Sequence, residues 1–106
     1  MRLEINRQYL EDLSKHFLPY MIMVCEANLE GTDSILYKLS KSILTDIDII
    51  FKRKLLTVQK KFCIKMKDAE GLIFKRFMLE FPIPSDHFWR NNLRNQIILQ
   101  LDKQSS

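Results

Sequence analysis

The sequence predicts a mainly α fold: a compact single-domain bundle of about four helices over residues 1–106, with a minor two-stranded β pairing between the N-terminus and residues 62–66. Three observations carry that expectation. The 106 residues include only two glycines and three prolines, too few for the many tight turns of a stranded sandwich. Apolar residues recur at three- and four-residue spacing over most of the chain, which is the helical period. Two short stretches depart from that period and alternate every second residue, as strands do.

The first alternating stretch opens the chain, with Met1, Leu3 and Ile5 interleaved by Arg2, Glu4 and Asn6. A first helix is expected over about residues 6–28, where Tyr9, Leu10, Leu13, Phe17, Tyr20, Met21, Val24 and Ala27 fill one arc roughly 120° wide. Pro19 falls on the polar side and has no N–H, so a kink or break is expected near Phe17. Beyond it, Ile22 and Met23 turn the polar side apolar, and a helix apolar on both sides needs cover on both. Gly31 is the expected stop, with Thr32 or Asp33 capping the next helix.

A second helix is expected over about residues 33–59. Leu36, Leu39, Ile43, Ile47, Ile50, Phe51 and Val58 share its main face, while Ile49 and Leu56 lie opposite, one heptad apart. Residues 61–67 form the other alternating stretch: Phe62, Ile64 and Met66 against Cys63, Lys65 and Lys67. A lone strand leaves its backbone unsatisfied, and the N-terminus is the best partner available. An extended connector is the alternative. Asp68 is placed to cap a third helix over about 69–81, whose Leu72, Ile73, Phe74, Phe77, Met78, Leu79 and Phe81 point nearly all round. That helix is therefore expected to be the most buried, with Gly71 admitting a close neighbour. Pro82 and Pro84 end it. Ser85 is the expected N-cap of a last helix over about 86–102, striped by Trp89, Leu93, Ile97 and Leu101. Gln104, Ser105 and Ser106 are expected to fray.

Composition narrows the classes of function. Hydrophobic residues at 46% and charged residues at 28% are ordinary for a soluble globular protein. The first dozen residues are rich in charge and lack the apolar run of a signal peptide. No stretch approaches the roughly 18 apolar residues of a membrane span. Cys25 and Cys63 are too few for a disulfide framework, so buried free thiols and a cytoplasmic setting are expected.

Motifs for catalysis are incomplete. Asp12 and His16 stand one helical turn apart beside Glu11, short of the three or four ligands of a metal site. His87 has no carboxylate at ligand spacing except the adjacent Asp86. Cys25 and Cys63 lack the local signatures of catalytic nucleophiles, although Lys61 and Lys65 flank Cys63. Asp46 and Asp48 project from different sides of a helix and make no acid–base couple. Neither glycine belongs to a phosphate-binding loop. No enzyme activity, metal or cofactor is expected.

Charge is the strongest regional signal. Residues 52–67 contain Lys52, Arg53, Lys54, Lys60, Lys61, Lys65 and Lys67 and no acidic side chain. The net charge is +4, so the remainder of the chain is net negative. Arg90 and Arg94 on the last helix, among Asn91, Asn92, Asn95 and Gln96, have the chemistry that reads nucleic-acid bases. The sequence supports first a small non-enzymatic interaction or accessory protein that self-associates as a homo-oligomer, using Ile22, Met23, Ile49 and Leu56. The alternative is a nucleic-acid-associated protein using Lys52, Arg53, Lys60, Lys61, Lys65, Lys67, Arg90 and Arg94. An anionic membrane surface ranks third. Structural roles also account for much of the basic segment, because lysines suit a helix end and an edge strand.

Overall fold

The computed structural model describes residues 1–105. The strand expected at the N-terminus, β1 (Arg2–Asn6), pairs antiparallel with β2 (Lys61–Lys65). The register sets Arg2 opposite Lys65, Leu3 opposite Ile64, Glu4 opposite Cys63, Ile5 opposite Phe62 and Asn6 opposite Lys61. Leu3, Ile5, Phe62 and Ile64 are buried on one face, and the six alternating residues face outward. Reciprocal bonds between Met1 and Met66 (2.6 and 2.7 Å) extend the ladder beyond one end of the strands. The Arg7 N–H, donating to the Lys60 carbonyl at 2.8 Å, extends it beyond the other.

The first helical rod has three parts: α1 (Arg7–Asp12), a π-helical turn (Leu13–Phe17) and α2 (Leu18–Ala27). Asn6 caps it, its side-chain oxygen accepting the Tyr9 N–H at 2.8 Å. The disturbance expected from Pro19 takes the form of that widened turn. Leu18 N–H reaches back five residues to the Leu13 carbonyl, so the missing proline donor is accommodated without breaking the rod. The rod ends at Ala27, within one residue of the expected limit, and Gly31 lies in the turn beyond it. Asn28 closes it, its Nδ2 donating to the Val24 carbonyl at 2.7 Å.

Helix α3 (Ser34–Leu55) buries Ser40, Leu44, Ile47 and Phe51, a three- and four-residue stripe packed against α2 and α4. It stops four residues short of the expected end. The Arg7 guanidinium donates to the Leu55 carbonyl (3.1 and 3.2 Å) and to the Thr57 carbonyl (2.6 Å), and Thr57 Oγ1 donates to the Lys54 carbonyl (2.7 Å). A cation on the last carbonyls is a favourable helix terminus. Val58, expected on the buried face, therefore lies beyond the helix and is fully exposed.

Helix α4 (Asp68–Glu80) buries Gly71, Phe74, Phe77 and Met78 only. Leu72 and Leu79 are exposed, which corrects the expectation of all-round burial: α3 and α5 both pack on the inner side, and the outer side faces solvent. Asp68 is the first helical residue, not the cap. Glu70 instead accepts the Lys67 N–H at 2.7 Å. The Met1 thioether fills the space that Gly71 leaves open, so the close neighbour is a side chain. Helix α5 (Phe88–Ser105) starts later than expected and is not capped by Ser85; His87 Nδ1 receives the Arg90 N–H at 3.4 Å. Leu93, Ile97 and Leu101 are buried, while Trp89 is partly exposed edge-on to Tyr9 at 4.9 Å. One core joins all elements, with Phe17 stacked on Phe81 and Phe51 edge-on to Phe74.

Gln104, expected to fray, is a tie between the chain ends, while Ser106 lies outside the described residues. Gln104 Oε1 accepts the Arg2 N–H and its Nε2 donates to the Arg2 carbonyl, both at 2.6 Å. One helical turn earlier, Gln100 does the same with Glu4, both at 2.8 Å. Four residues of helix advance about 6 Å and two residues of strand about 6.8 Å, so the two periods nearly coincide. The two amides thus complete the outer edge of β1 as a third strand would. Replacing both with alanine (Gln100→Ala with Gln104→Ala) is expected to cost about 1–3 kcal/mol in urea denaturation. Gln96→Ala, a turn away and exposed, is expected to stay within about 0.5 kcal/mol of the parent.

Candidate interaction surfaces

Two surfaces align side chains that the core does not use, while Leu72, Leu79, Phe88 and Leu99 are exposed separately on α4 and α5. The first is the outward face of α3. Seven residues at alternating four- and three-residue steps (Ile35, Leu39, Ser42, Asp46, Ile49, Arg53 and Leu56) follow one line along it, and all seven are exposed. At 100° per residue they span an arc of roughly 100°. Leu56 belongs to the line because its backbone is still right-handed helical (φ −73°, ψ −18°). Ile35 is 82% exposed, Leu56 85% and Ile49 44%.

Of the four apolar residues that the sequence offered for a contact, Ile49 and Leu56 fall on this line. Met23 is exposed on α2, and Ile22 is partly buried against the core. The structure therefore unites two of the four. Sequence reasoning missed two further members. Leu39, expected on the buried face, lies outside it, where Leu44 and Ser40 are buried instead. Ile35 carried a readable signal, since Ile35, Ser42, Ile49 and Leu56 repeat at one heptad. Asp46 and Arg53 stand two turns apart on the same line, and no ion pair joins either to a described residue.

The second surface is the outward face of the sheet. Arg2, Glu4 and Asn6 meet Lys65, Cys63 and Lys61 across the strands. The Arg2 guanidinium lies over the Cys63 sulfur, with Nη2 at 3.2 Å and Nε at 3.3 Å. The hydrogen bond to Cys63 holds the Arg2 pKa above its ordinary value. A groove of about 530 Å³ beside it is lined by Glu4, Asn6, Lys61, Cys63 and Gln96.

The seven cations of residues 52–67 divide between these places. Lys52 pairs with Asp48 one turn back at 2.8 Å, Arg53 joins the α3 line, and Lys54 is half-buried. Lys60, Lys61, Lys65 and Lys67 are exposed along β2 and at its ends. Arg90 and Arg94 belong to neither surface. Arg90 grips Asp12 through Nε (3.1 Å) and Nη2 (3.0 Å) above the Phe17 ring, and Arg94 donates to the Phe81 carbonyl at 2.9 Å and to Asn91 at 3.2 Å. Their fork geometry is used to fasten α5 to the first rod and to the end of α4.

Other polar groups stay apart. Asp12 reaches His16 only at 3.9 Å and is already held by Arg90. Among the described residues, no three His, Cys, Asp or Glu side chains gather as metal ligands. Asp46 faces outward, whereas Asp48 is largely buried, its Oδ2 on Lys52 and its Oδ1 without a partner among the described residues. No helix of the described residues is long and apolar enough to cross a membrane.

The geometry defines a mainly α protein with a two-stranded antiparallel sheet and two outward surfaces. No protein-family model, curated protein or solved structure matches the chain.

The two thiols differ in a measurable way. Cys25 is fully buried, and burial raises its pKa, opposed by Lys41 and reinforced by Glu26. Alkylation with iodoacetamide at neutral pH is expected to label Cys63 in the native protein and Cys25 only after denaturation. A thiol with a raised folded pKa stabilises the fold fully below its unfolded value of about 8.5 and loses that contribution as pH climbs through the folded value. Stability is therefore expected to fall on the alkaline side, and Cys25→Ala is expected to flatten that limb in a series of urea titrations.

Proposed function

We propose that this is a small non-enzymatic interaction protein that acts by self-association, with the outer line of α3 as its contact surface. The observation that carries the reading is the doubled character of α3. Its inner stripe is taken up by the core, and its outer line still presents Ile35, Leu39, Ile49 and Leu56 to solvent along most of its 22 residues. Exposed apolar side chains repeated along one helix line, interrupted by Ser42, Asp46 and Arg53, suit contact with a partner that also meets the charges.

Charge placement favours a second copy as that partner, in an antiparallel arrangement. A twofold axis beside Ile49 sets Asp46, about one turn before it, close to Arg53 of the second copy, one turn after it, and repeats the pair on the other side. Leu56 then meets the Leu39–Ser42 region of the second copy at each end. A parallel pairing would instead oppose Asp46 to Asp46 and Arg53 to Arg53, which like-charge repulsion disfavours.

Light scattering over a concentration series is expected to show a monomer–dimer equilibrium, with Ile49→Glu leaving only monomer. Asp46→Arg and Arg53→Asp are each expected to weaken the dimer at least about tenfold, and an equimolar mixture of the two to recover it as heterodimer. In a Cys63→Ser background, Ser42→Cys is not expected to cross-link to itself. A parent protein that stays monomeric to millimolar concentration would refute the reading, and efficient self-cross-linking of Ser42→Cys would refute the antiparallel geometry.

A further inference from the structure

We infer that the outer edge of β2 is a docking strand for an extended acidic peptide. The two edges of the sheet are treated differently. The β1 edge is closed, because the N–H and C=O of both Arg2 and Glu4 are bonded by the Gln104 and Gln100 amides. The pairing within the sheet also fixes which way the β2 backbone points. Antiparallel pairs alternate between bonded and non-bonded, and the Met1–Met66 and Arg7–Lys60 bonds place the bonded pairs at Leu3–Ile64 and Ile5–Phe62. The N–H and C=O groups of Lys61, Cys63 and Lys65 consequently point away from β1. No hydrogen bond from another described residue reaches these backbone groups, and no helix lies along that edge as α5 lies along β1.

A free strand edge is a template for another strand, and its side chains select which. Lys61 and Lys65 both face outward on this edge, with Lys60 and Lys67 exposed at its two ends. Arg2 stands across from Lys65 and adds to the same positive field. A second copy of β2 is a poor occupant. Antiparallel pairing centred on Cys63 would set Lys61 against Lys65 twice, and parallel in-register pairing would set each lysine against itself. A strand with carboxylates opposite Lys61 and Lys65 reverses both penalties. Opposite Phe62 and Ile64, its alternate side chains turn toward the core side of the sheet, where apolar residues fit. The recognised pattern is thus acidic–apolar–neutral–apolar–acidic, held by backbone bonds and ordered by the lysines.

A fluorescein-labelled Glu-Val-Thr-Val-Glu peptide, titrated by fluorescence anisotropy at low salt, tests the assignment. Binding is expected for the wild-type protein and for Ile49→Glu alike, since the edge is separate from the α3 line. The same peptide N-methylated at both glutamates and the threonine keeps its charge but loses the donors that face β2, and is expected to bind at least about tenfold more weakly. Lys61→Glu with Lys65→Glu, at two exposed positions, is expected to cause a similar loss, and a Lys-Val-Thr-Val-Lys peptide to show no binding. The assignment is overturned if the acidic peptide does not bind at millimolar concentration. It is equally overturned if N-methylation leaves affinity unchanged, or if a single-stranded oligonucleotide displaces the peptide at matched charge, which would assign the lysines to phosphates.

Discussion

A five-residue strand at the very start of the chain cannot keep its own backbone hydrogen-bonded, and the rest of the architecture answers that requirement. β1 takes one set of bonds from β2, some sixty residues along, and the other from two glutamines near the C-terminus. Beginning, middle and end of the sequence meet there. Because Gln100 and Gln104 must lie over the β1 edge, α5 is held along it, and its buried Leu93, Ile97 and Leu101 are directed into the core. Pinning both ends leaves the first rod and α3 to fill the opposite side.

Side-chain cations perform a related task at the helix ends. Arg7 binds the final carbonyls of α3, Arg94 binds the Phe81 carbonyl after α4, and Arg90 clasps Asp12 from across the molecule. Each joins a helix terminus or flank to an element distant in sequence, where a bidentate guanidinium adds direction as well as attraction. Much of the chain's arginine is thereby structural. Four of the lysines, Lys60, Lys61, Lys65 and Lys67, lie along or at the ends of the one sheet edge that has no protein partner among the described residues.

Sequence periodicity conveys the architecture well, because burial acts on every third, fourth or second residue and leaves that imprint. The β pairing and the two-faced α3 are legible for this reason, through Leu3, Ile5, Phe62 and Ile64 in one case and Ile49 and Leu56 in the other. Helix limits are less legible, since they depend on distant partners: nothing near Thr57 announces that Arg7 will close α3. The glutamines leave no such imprint, because an amide on a helix looks like any other solvated residue until the strand it matches is placed beside it. Leu39 misleads because a leucine on the edge of a stripe looks the same whether a neighbour covers it or not. For the basic segment, the change of period already divides the cations between a helix end and an edge strand, while only the fold puts Arg53 on the outer line of α3.

Residue-resolved amide hydrogen exchange by NMR tests the sheet most directly. The asymmetric sheet predicts slow exchange at Leu3, Ile5, Phe62 and Ile64, and measurable protection at Arg2 and Glu4 from the glutamine amides. It predicts exchange near the unstructured rate at Lys61, Cys63 and Lys65 in the protein alone. Protection of Cys63 and Lys65 matching that of Ile64, or none at Arg2 and Glu4, would contradict it.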